Sequence, residues 1–507
     1  MKKIESLELK RHGKFKRFLY WLLNLLISIP IFCQNLGIKI WKGIKGLGFK
    51  IKNAGILIHE GFTKGSWKTR VSYFILGFGN LSRKQIFRGL LFFGFQVLFI
   101  IYMIFVGAHW LSKFGNLGSS LLENVYDPVL DTFVDVPGDN SFKILLYGLL
   151  TIFFIIAYLG TWYINVKQNK INDEIIASGK KIKSGKDDLK SLVDDQFHKT
   201  MLALPLTGIL LFTVLPIVFM VLVAFTNYDY QHDGYKNLFT WVGFDNFNEL
   251  VNFGSGGIGV AFGEILAWTM IWAIFATFTN YFLGMFVAIM INKKGIKFKK
   301  GWRTILVLTI AIPQFISLLY ISKLFSENGL VNSLLINWGW IDKSIGFFTD
   351  PTLSKIMVIL INIWVGIPYL MLISTGILMN IPQDLYESAK IDGANVWHQY
   401  TKITLPYMLF VTGPYLLTSF IGNINNFNVI YLLTKGGPAN EKLPAVGGVT
   451  PGHTDLLITW LFNITTGVEA NYKLASVIGI LIFVVVAVLS LIVYNVMPSI
   501  KNEEDFS

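Results

Sequence analysis

Three polar residues stand where an apolar helix would ordinarily have none. Ser419, Asn423 and Asn426 lie in the run Ser-Phe-Ile-Gly-Asn-Ile-Asn-Asn-Phe-Asn of residues 419–428. Side chains three or four residues apart share one helical face. An amide buried in such a face is costly unless it is hydrogen-bonded. Amides donate to and accept from hydroxyl groups, and the faces of Phe420 and Phe427 can pack against sugar C–H groups. The stripe could therefore line a sugar cavity, or it could bond one helix to another. Spacing alone leaves both uses open.

A second group surrounds a glycine. The segment Tyr386-Glu-Ser-Ala-Lys-Ile-Asp-Gly-Ala-Asn-Val-Trp-His-Gln-Tyr-Thr-Lys-Ile-Thr-Leu-Pro406 lies between two long apolar runs. Pro382 suits the first turn of a helix over 383–391, with Asp384 and Glu387 toward its positive end. Gly393 permits a sharp turn. Residues 395–404 favour a second short helix, and Pro406 marks the entry to the next apolar run. The expected product is a helix–turn–helix knob, shaped either for docking a partner or for resting on lipid headgroups.

Other chemistry is missing. No G-x-x-x-x-G-K-[ST] pattern, which would cradle a nucleotide's phosphates, occurs in the sequence. His59, His198, His398 and His453 lack metal-ligand spacing, and Cys33 is the sole cysteine, which excludes an internal disulfide and a cysteine metal site. Glu387 and Asp392 sit on a membrane-adjacent loop rather than as a paired acid and base. No metal and no catalytic residue is expected.

The elements that position these groups follow from composition. Of 507 residues, 53% are hydrophobic and 15% charged, with 42 Phe and 14 Trp; ordinary soluble proteins are roughly 25% charged. Mean hydropathy is +0.54. This excludes a water-soluble enzyme, a disordered chain and a coiled coil, and indicates an all-α polytopic membrane bundle. The net charge of +13 suits anionic lipid and topology control better than nucleic acid, because the basic residues sit between apolar runs.

About 20 apolar residues cross a bilayer as a helix. Eight runs qualify: 89–110, 143–166, 202–226, 264–291, 304–323, 355–378, 405–433 and 472–496. Segments 167–200 and 292–303 are rich in Lys, whereas 111–141 has five acids against Lys113, and 227–262 has Lys236 as its one full cation. The positive-inside rule places the first two in the cytoplasm and the others outside. Alternation puts 379–404 and both termini inside. Phe18–Ile38 is apolar but flanked by basic clusters on both sides, which favours a helix lying in the inner interface over a ninth span. Arg88, Lys143, Glu264, Lys323, Lys355 and Lys473 all fall at span ends, where they can snorkel. Buried charges of the kind used by proton-coupled carriers are lacking. A sodium symporter and a membrane-bound glycosyltransferase remain as competing classes, the second disfavoured by the lack of a soluble nucleotide or metal domain.

The knob resembles the EAA loop of ABC importer permeases, roughly E-A-A-x-x-D-G-A, then an aromatic, then L-P. Glu387, Ala389, Asp392, Gly393, Ala394, Tyr400, Leu405 and Pro406 match in register; Ser388 replaces an alanine and Tyr400 the usual Phe. Val242–Phe247, Trp364–Tyr369, Asn425–Phe427, Leu432–Pro438 and Thr454–Leu457 are similar to the MalF-type permease of maltose/maltodextrin importers. The resemblance covers most of 200–496. It implies the type I ABC importer permease fold, a second MalG-type permease, two cytoplasmic ATPase subunits that carry ATP and Mg, and an external sugar-binding protein. It also implies a mid-membrane sugar site lined by Gly366, Tyr369, Ser419, Asn423 and Asn426, with Gln314 as a further contact, and coupling through residues 383–406. Ile310 stands where related permeases carry a tyrosine. Segment 227–262 is short where some MalF proteins hold a large external domain, which resembles versions that work with lipid-anchored binding proteins. The implied organisation is a basic N-terminal region at 1–87, two spans and a linker at 88–200, the core permease at 201–496 and a tail at 497–507.

Overall fold

The computed structural model describes residues 14–496 apart from 129–130, 183–184, 186–189, 192, 195, 233–236, 255–256 and 294. Among the described residues, seven helices are long and apolar enough to cross a membrane, and a bent pair raises the number to as many as eight. By their contacts the residues form two units, Met1–Leu222 with His232–Trp241, and Val223–Gln231 with Val242–Ser507.

The first unit holds the helix Lys14–Thr63, the short helices Trp67–Val71 and Phe78–Leu81, and the spans Ile86–Lys113 and Ser141–Ala177. Residues 18–38 fall inside the long first helix, but most of their side chains, and so their expected place in the interface, lie outside the described residues. The run read as 143–166 continues without a break to Ala177. Its polar end is held rather than solvated. Arg83 pairs with Asp173, and its guanidinium also donates to Oδ1 of Asn169 at 2.7 Å. Asn169 in turn donates to Asn80 at 3.0 Å, and Asn165 to the Ser72 carbonyl at 2.9 Å. Polar groups removed from water thus find partners, as burial requires. An antiparallel hairpin, Glu123–Asp127 paired with Thr132–Val136, lies between the two spans; nothing in the sequence analysis anticipated strands.

In the second unit the 35-residue helix Ile258–Asn292 packs along Pro351–Leu378 and Leu405–Ile424. Trp268, Trp272 and Ala276 pack with Met357, Val358 and Ile361 and with Val429 and Ile430. Tyr281 and Met285 pack with Leu370 and Met408. A separate cluster joins Leu457, Trp460 and Ile464 to Leu474, Val477 and Ile478.

Two spans differ from their expected form. The run 304–323 is two helices, Lys299–Ala311 and Gln314–Leu324, bent by 89°. Pro313 causes the break, since it lacks an N–H and pushes Ile312 to an extended ψ of 124°. The run 405–433 is broken at Asn425 into Leu405–Ile424 and Phe427–Thr434. At its other end it starts early. Helix Val396–Gln399 passes through a π-turn, Tyr400–Thr404, straight into the span. The expected separate helix over 395–404 is therefore continuous with the span. Pro406 is tolerated inside it because the π-turn widens the bonding pattern just ahead of the proline, with the Leu405 N–H reaching back to Tyr400 O.

Two lysines and the glutamate at span ends are engaged by named partners. Lys473 forms a salt bridge with Asp229 at 3.1 Å, and Lys355 lies 4.8 Å over the Trp268 ring. Glu264 accepts from Asn440 at 2.9 Å.

Candidate translocation site

The break at Asn425 decides what the polar stripe does. Asn426 begins the second half-helix, and its side-chain oxygen accepts from the Val429 N–H at 3.3 Å, capping an otherwise unpaired donor. Its amide nitrogen donates to Oδ1 of Asn423 at 3.2 Å. Asn423 donates onward to the Thr277 hydroxyl at 3.0 Å, and its carbonyl accepts from the Trp272 indole at 3.0 Å. Ser419 lies one turn from Tyr415 on the same helix. Ser419 and Asn423 share a face of one helix, but Asn426 belongs to the next. Helix-to-helix bonding is thus one real use of the stripe. It does not exhaust it, because all three side chains remain partly open to solvent.

The other expected lining residues have different surroundings. Tyr369 is 51% exposed, with its ring centroid 6.4 Å from that of Tyr415. Gln314 is exposed at the first position after the Pro313 bend. The Gln314–Leu324 helix is tied to Phe427–Thr434 by the Ser322 hydroxyl, which donates to Leu433 O at 2.9 Å. Gly366 is different: it lies directly against Asn280 of the central helix.

Asn280 and Asn362 are residues the sequence analysis did not single out. Both are buried, the Asn280 amide donates to Asn362 O at 3.4 Å, and neither Oδ1 of Asn280 nor Nδ2 of Asn362 has a partner. Thr277 and Asn280, three residues apart in an apolar run, were the available signal.

The knob forms as a helix, Gln383–Ile391, closed by Gly393 at φ +77°. The Gly393 N–H donates to Lys390 O at 3.0 Å and the Ala394 N–H to Ala389 O at 2.8 Å. This pair of bonds satisfies the last carbonyls and requires the left-handed conformation glycine permits. Asn395 then caps the next helix by accepting from the His398 N–H at 2.8 Å. Ala389 and Ala394 are half-buried at the turn, whereas Glu387 and Asp392 are exposed. Ile391, Val396 and Trp397 form an exposed apolar crown. Two links join the knob to the bundle. Tyr386 shares a hydrogen bond of 2.9 Å with Thr404 at the π-turn, and Tyr400 packs on the Tyr281, Met285, Leu370 and Met408 cluster.

Residues 280–501 match the model of the family described as binding-protein-dependent transport system inner membrane component. The maltodextrin transport system permease protein MalC of Streptococcus pneumoniae is 32% identical over 439 residues, which cover 85% of this chain and 95% of that protein. The chain belongs to this family. It is an ABC importer permease of the maltose/maltodextrin type, a multi-pass membrane subunit without catalytic activity of its own. The galactooligosaccharides transport system permease protein GanP of Bacillus subtilis is 34% identical to this permease over 431 residues, 85% of this chain and 97% of that protein. A crystal structure of a bacterial ABC transporter involved in the import of the acidic polysaccharide alginate superposes with a TM-score of 0.50 at 24% identity. The match covers 62% of this permease and 99% of that chain, and it bears on the fold alone. Among the described residues no group of three His, Cys, Asp or Glu is placed to hold a metal.

Proposed function

We propose that this permease forms part of the path for a maltodextrin-like oligosaccharide, with Gln314, Gly366, Tyr369, Ser419, Asn423 and Asn426 at or beside the sugar. The observation that carries the reading is the near full-length match to a permease named for maltodextrin transport. The break at Asn425 supports it, because a half-helix start exposes polar groups only where they line a cavity or find protein partners. A galactooligosaccharide is the second reading, favoured by the equally long match to GanP.

The core permease is residues 201–496, preceded by the basic region 1–87 and the spans and linker of 88–200, and followed by the tail 497–507. The proposed orientation has both termini, 167–200, 292–303 and 379–404 in the cytoplasm, and 111–141 and 227–262 outside. The partners are a second permease, two ATPase subunits that bind ATP and Mg, and a lipid-anchored external binding protein. Glu387, Ala389, Asp392, Gly393, Ala394, Tyr400 and Pro406 couple to the ATPase. The exposed crown of Ile391, Val396 and Trp397 enters a groove on that subunit, and Tyr400 and Thr404 pass its movement to the bundle.

The deciding experiment is ATPase activity of the reconstituted importer with its binding protein and a panel of sugars. Maltodextrins should stimulate more than galactooligosaccharides. The reverse order selects the second reading, and sodium-dependent uptake that survives ATP depletion defeats both.

A further inference from the structure

The hairpin Glu123–Asp127/Thr132–Val136 has no cover of its own. In its register Tyr126 opposes Phe133 on one face, with Asn124 opposite Asp135, while Val125 opposes Val134 on the other. The aromatic rings meet edge to face at 5.5 Å, and the Tyr126 hydroxyl bonds Asp131. Among the described strand side chains Val134 is half-buried and the rest are exposed, with Phe133 at 67%. A two-stranded hairpin open on both faces is at best marginally stable in water. Something is needed to cover it.

Charge selects the occupant. Glu123, Asp127, Asp131, Asp135 and Asp139 lie in a stretch with no Lys or Arg between Lys113 and Lys143, inside a chain of net charge +13. Asp139 is committed at the base of the loop, where it pairs with Lys113 at 2.5 Å and accepts from the Ser119 N–H at 2.9 Å. Asp131 and Asp135 are exposed on the side of the aromatic pair, while Glu123 is exposed on the opposite face with Val125. An anionic lipid surface repels such a rim, and hydrocarbon excludes it. An aromatic centre with a charged rim suits a protein surface of opposite sign. The family depends on a binding protein.

We propose that this hairpin docks a basic face of the importer's extracellular binding protein, guiding it to the permease through the Asp131 and Asp135 carboxylates and holding it through Tyr126 and Phe133. The inference rests on the outward orientation proposed for 111–141.

The test uses the complete importer in proteoliposomes, with its purified, sugar-saturated binding protein added outside. ATPase stimulation is measured against binding-protein concentration at low and high salt. For the pair Asp131→Lys and Asp135→Lys, the half-saturating concentration should rise about tenfold or more at low salt with the maximal rate unchanged. Added salt should weaken the parent and leave this variant flat or improved. Phe133→Ser should raise half-saturation at both salts. Unchanged half-saturation in both variants overturns the proposal, as does loss of the second permease from the purified complex, which would make the hairpin a contact between permeases. Thr132→Cys in a Cys33→Ser background separates this from the orientation. An impermeant maleimide should label it from outside, and the binding protein should protect it. Labelling only from inside defeats the orientation; outside labelling without protection, together with unchanged half-saturation, defeats docking alone.

Discussion

Gly366 and Asn280 meet so closely that the glycine has no room for a side chain: a Cβ built on Gly366 would lie 2.5 Å from Nδ2 of Asn280. The two residues bring the helices Ile258–Asn292 and Pro351–Leu378 together at a point where the Asn280 oxygen has no partner. Gly366 thus sets a helix–helix distance, whatever it also does toward sugar.

The first prediction follows from that contact. Gly366→Ala should destabilise the permease by about 1–3 kcal/mol through overpacking, read as a lower melting temperature of the purified complex. Asn280→Ala, which removes the opposing amide, should restore most of the loss in the double variant. If the double variant melts no higher than Gly366→Ala alone, the contact is not what constrains this position.

Asn423 separates structural bonding from sugar contact. Asn423→Ala and Thr277→Ala each break the 3.0 Å bond between them, so their stability costs should be non-additive, with a coupling of about 1 kcal/mol. A contact with sugar adds something the cycle does not remove. In the Thr277→Ala background, Asn423→Ala should still raise the sugar concentration needed for half-maximal uptake. If uptake is insensitive there, Asn423 serves the bundle alone.

At the knob, Gly393→Pro removes the N–H that bonds Lys390 O and forces φ away from +77°. Sugar-stimulated uptake should be lost while the permease still reaches the membrane and basal ATPase activity persists. Gly393→Ala keeps the donor and should cost only about 1 kcal/mol of turn strain. Normal uptake by Gly393→Pro would show that the knob is not the coupling joint. Tyr386→Phe, which loses only the 2.9 Å bond to Thr404, should lower uptake per ATP hydrolysed with little change in assembly.

The loop between Thr434 and Leu457 should respond to pH. Asp455 is buried there, and burial pushes its carboxyl up to about 6 from an ordinary 3.8, although the Gly452 N–H and Thr459 hydroxyl bond it. Because the folded value is raised, the contribution to stability is complete below about pH 3.8 and is lost as pH rises through about 6. Hydrogen exchange over 436–456, corrected for its intrinsic rate, should therefore be faster at pH 7.5 than at pH 5. Asp455→Asn should flatten that difference; a difference that persists assigns it to another group, His453 being the neighbour to test.

Much of the knob's structure was legible in the sequence, because its turn is local. Pro382, Gly393 and Asn395 act on backbone groups within five residues, so composition and spacing suffice to place a helix, a stop and a restart. The eight apolar runs were legible for a similar reason, since a bilayer imposes length and hydropathy on each segment separately. Pro313 could have signalled the bend in 304–323, but a proline within a span is equally compatible with a mild kink, and its 89° angle depends on what the two halves pack against.

The partners of the polar residues were decided elsewhere in the chain. Asn423 bonds Thr277, 146 residues away, and Gly366 abuts Asn280 across a helix interface. No periodicity within one segment records which amide meets which hydroxyl on another. The sequence by itself determined a polytopic permease with a glycine-closed knob between two spans, because membrane thickness and backbone turns act over short distances along the chain. Only tertiary structure decided that Asn426 caps a half-helix, that Gly366 is a contact point and that an acidic hairpin stands uncovered, because those depend on which surfaces the packed helices bring together and which they leave open.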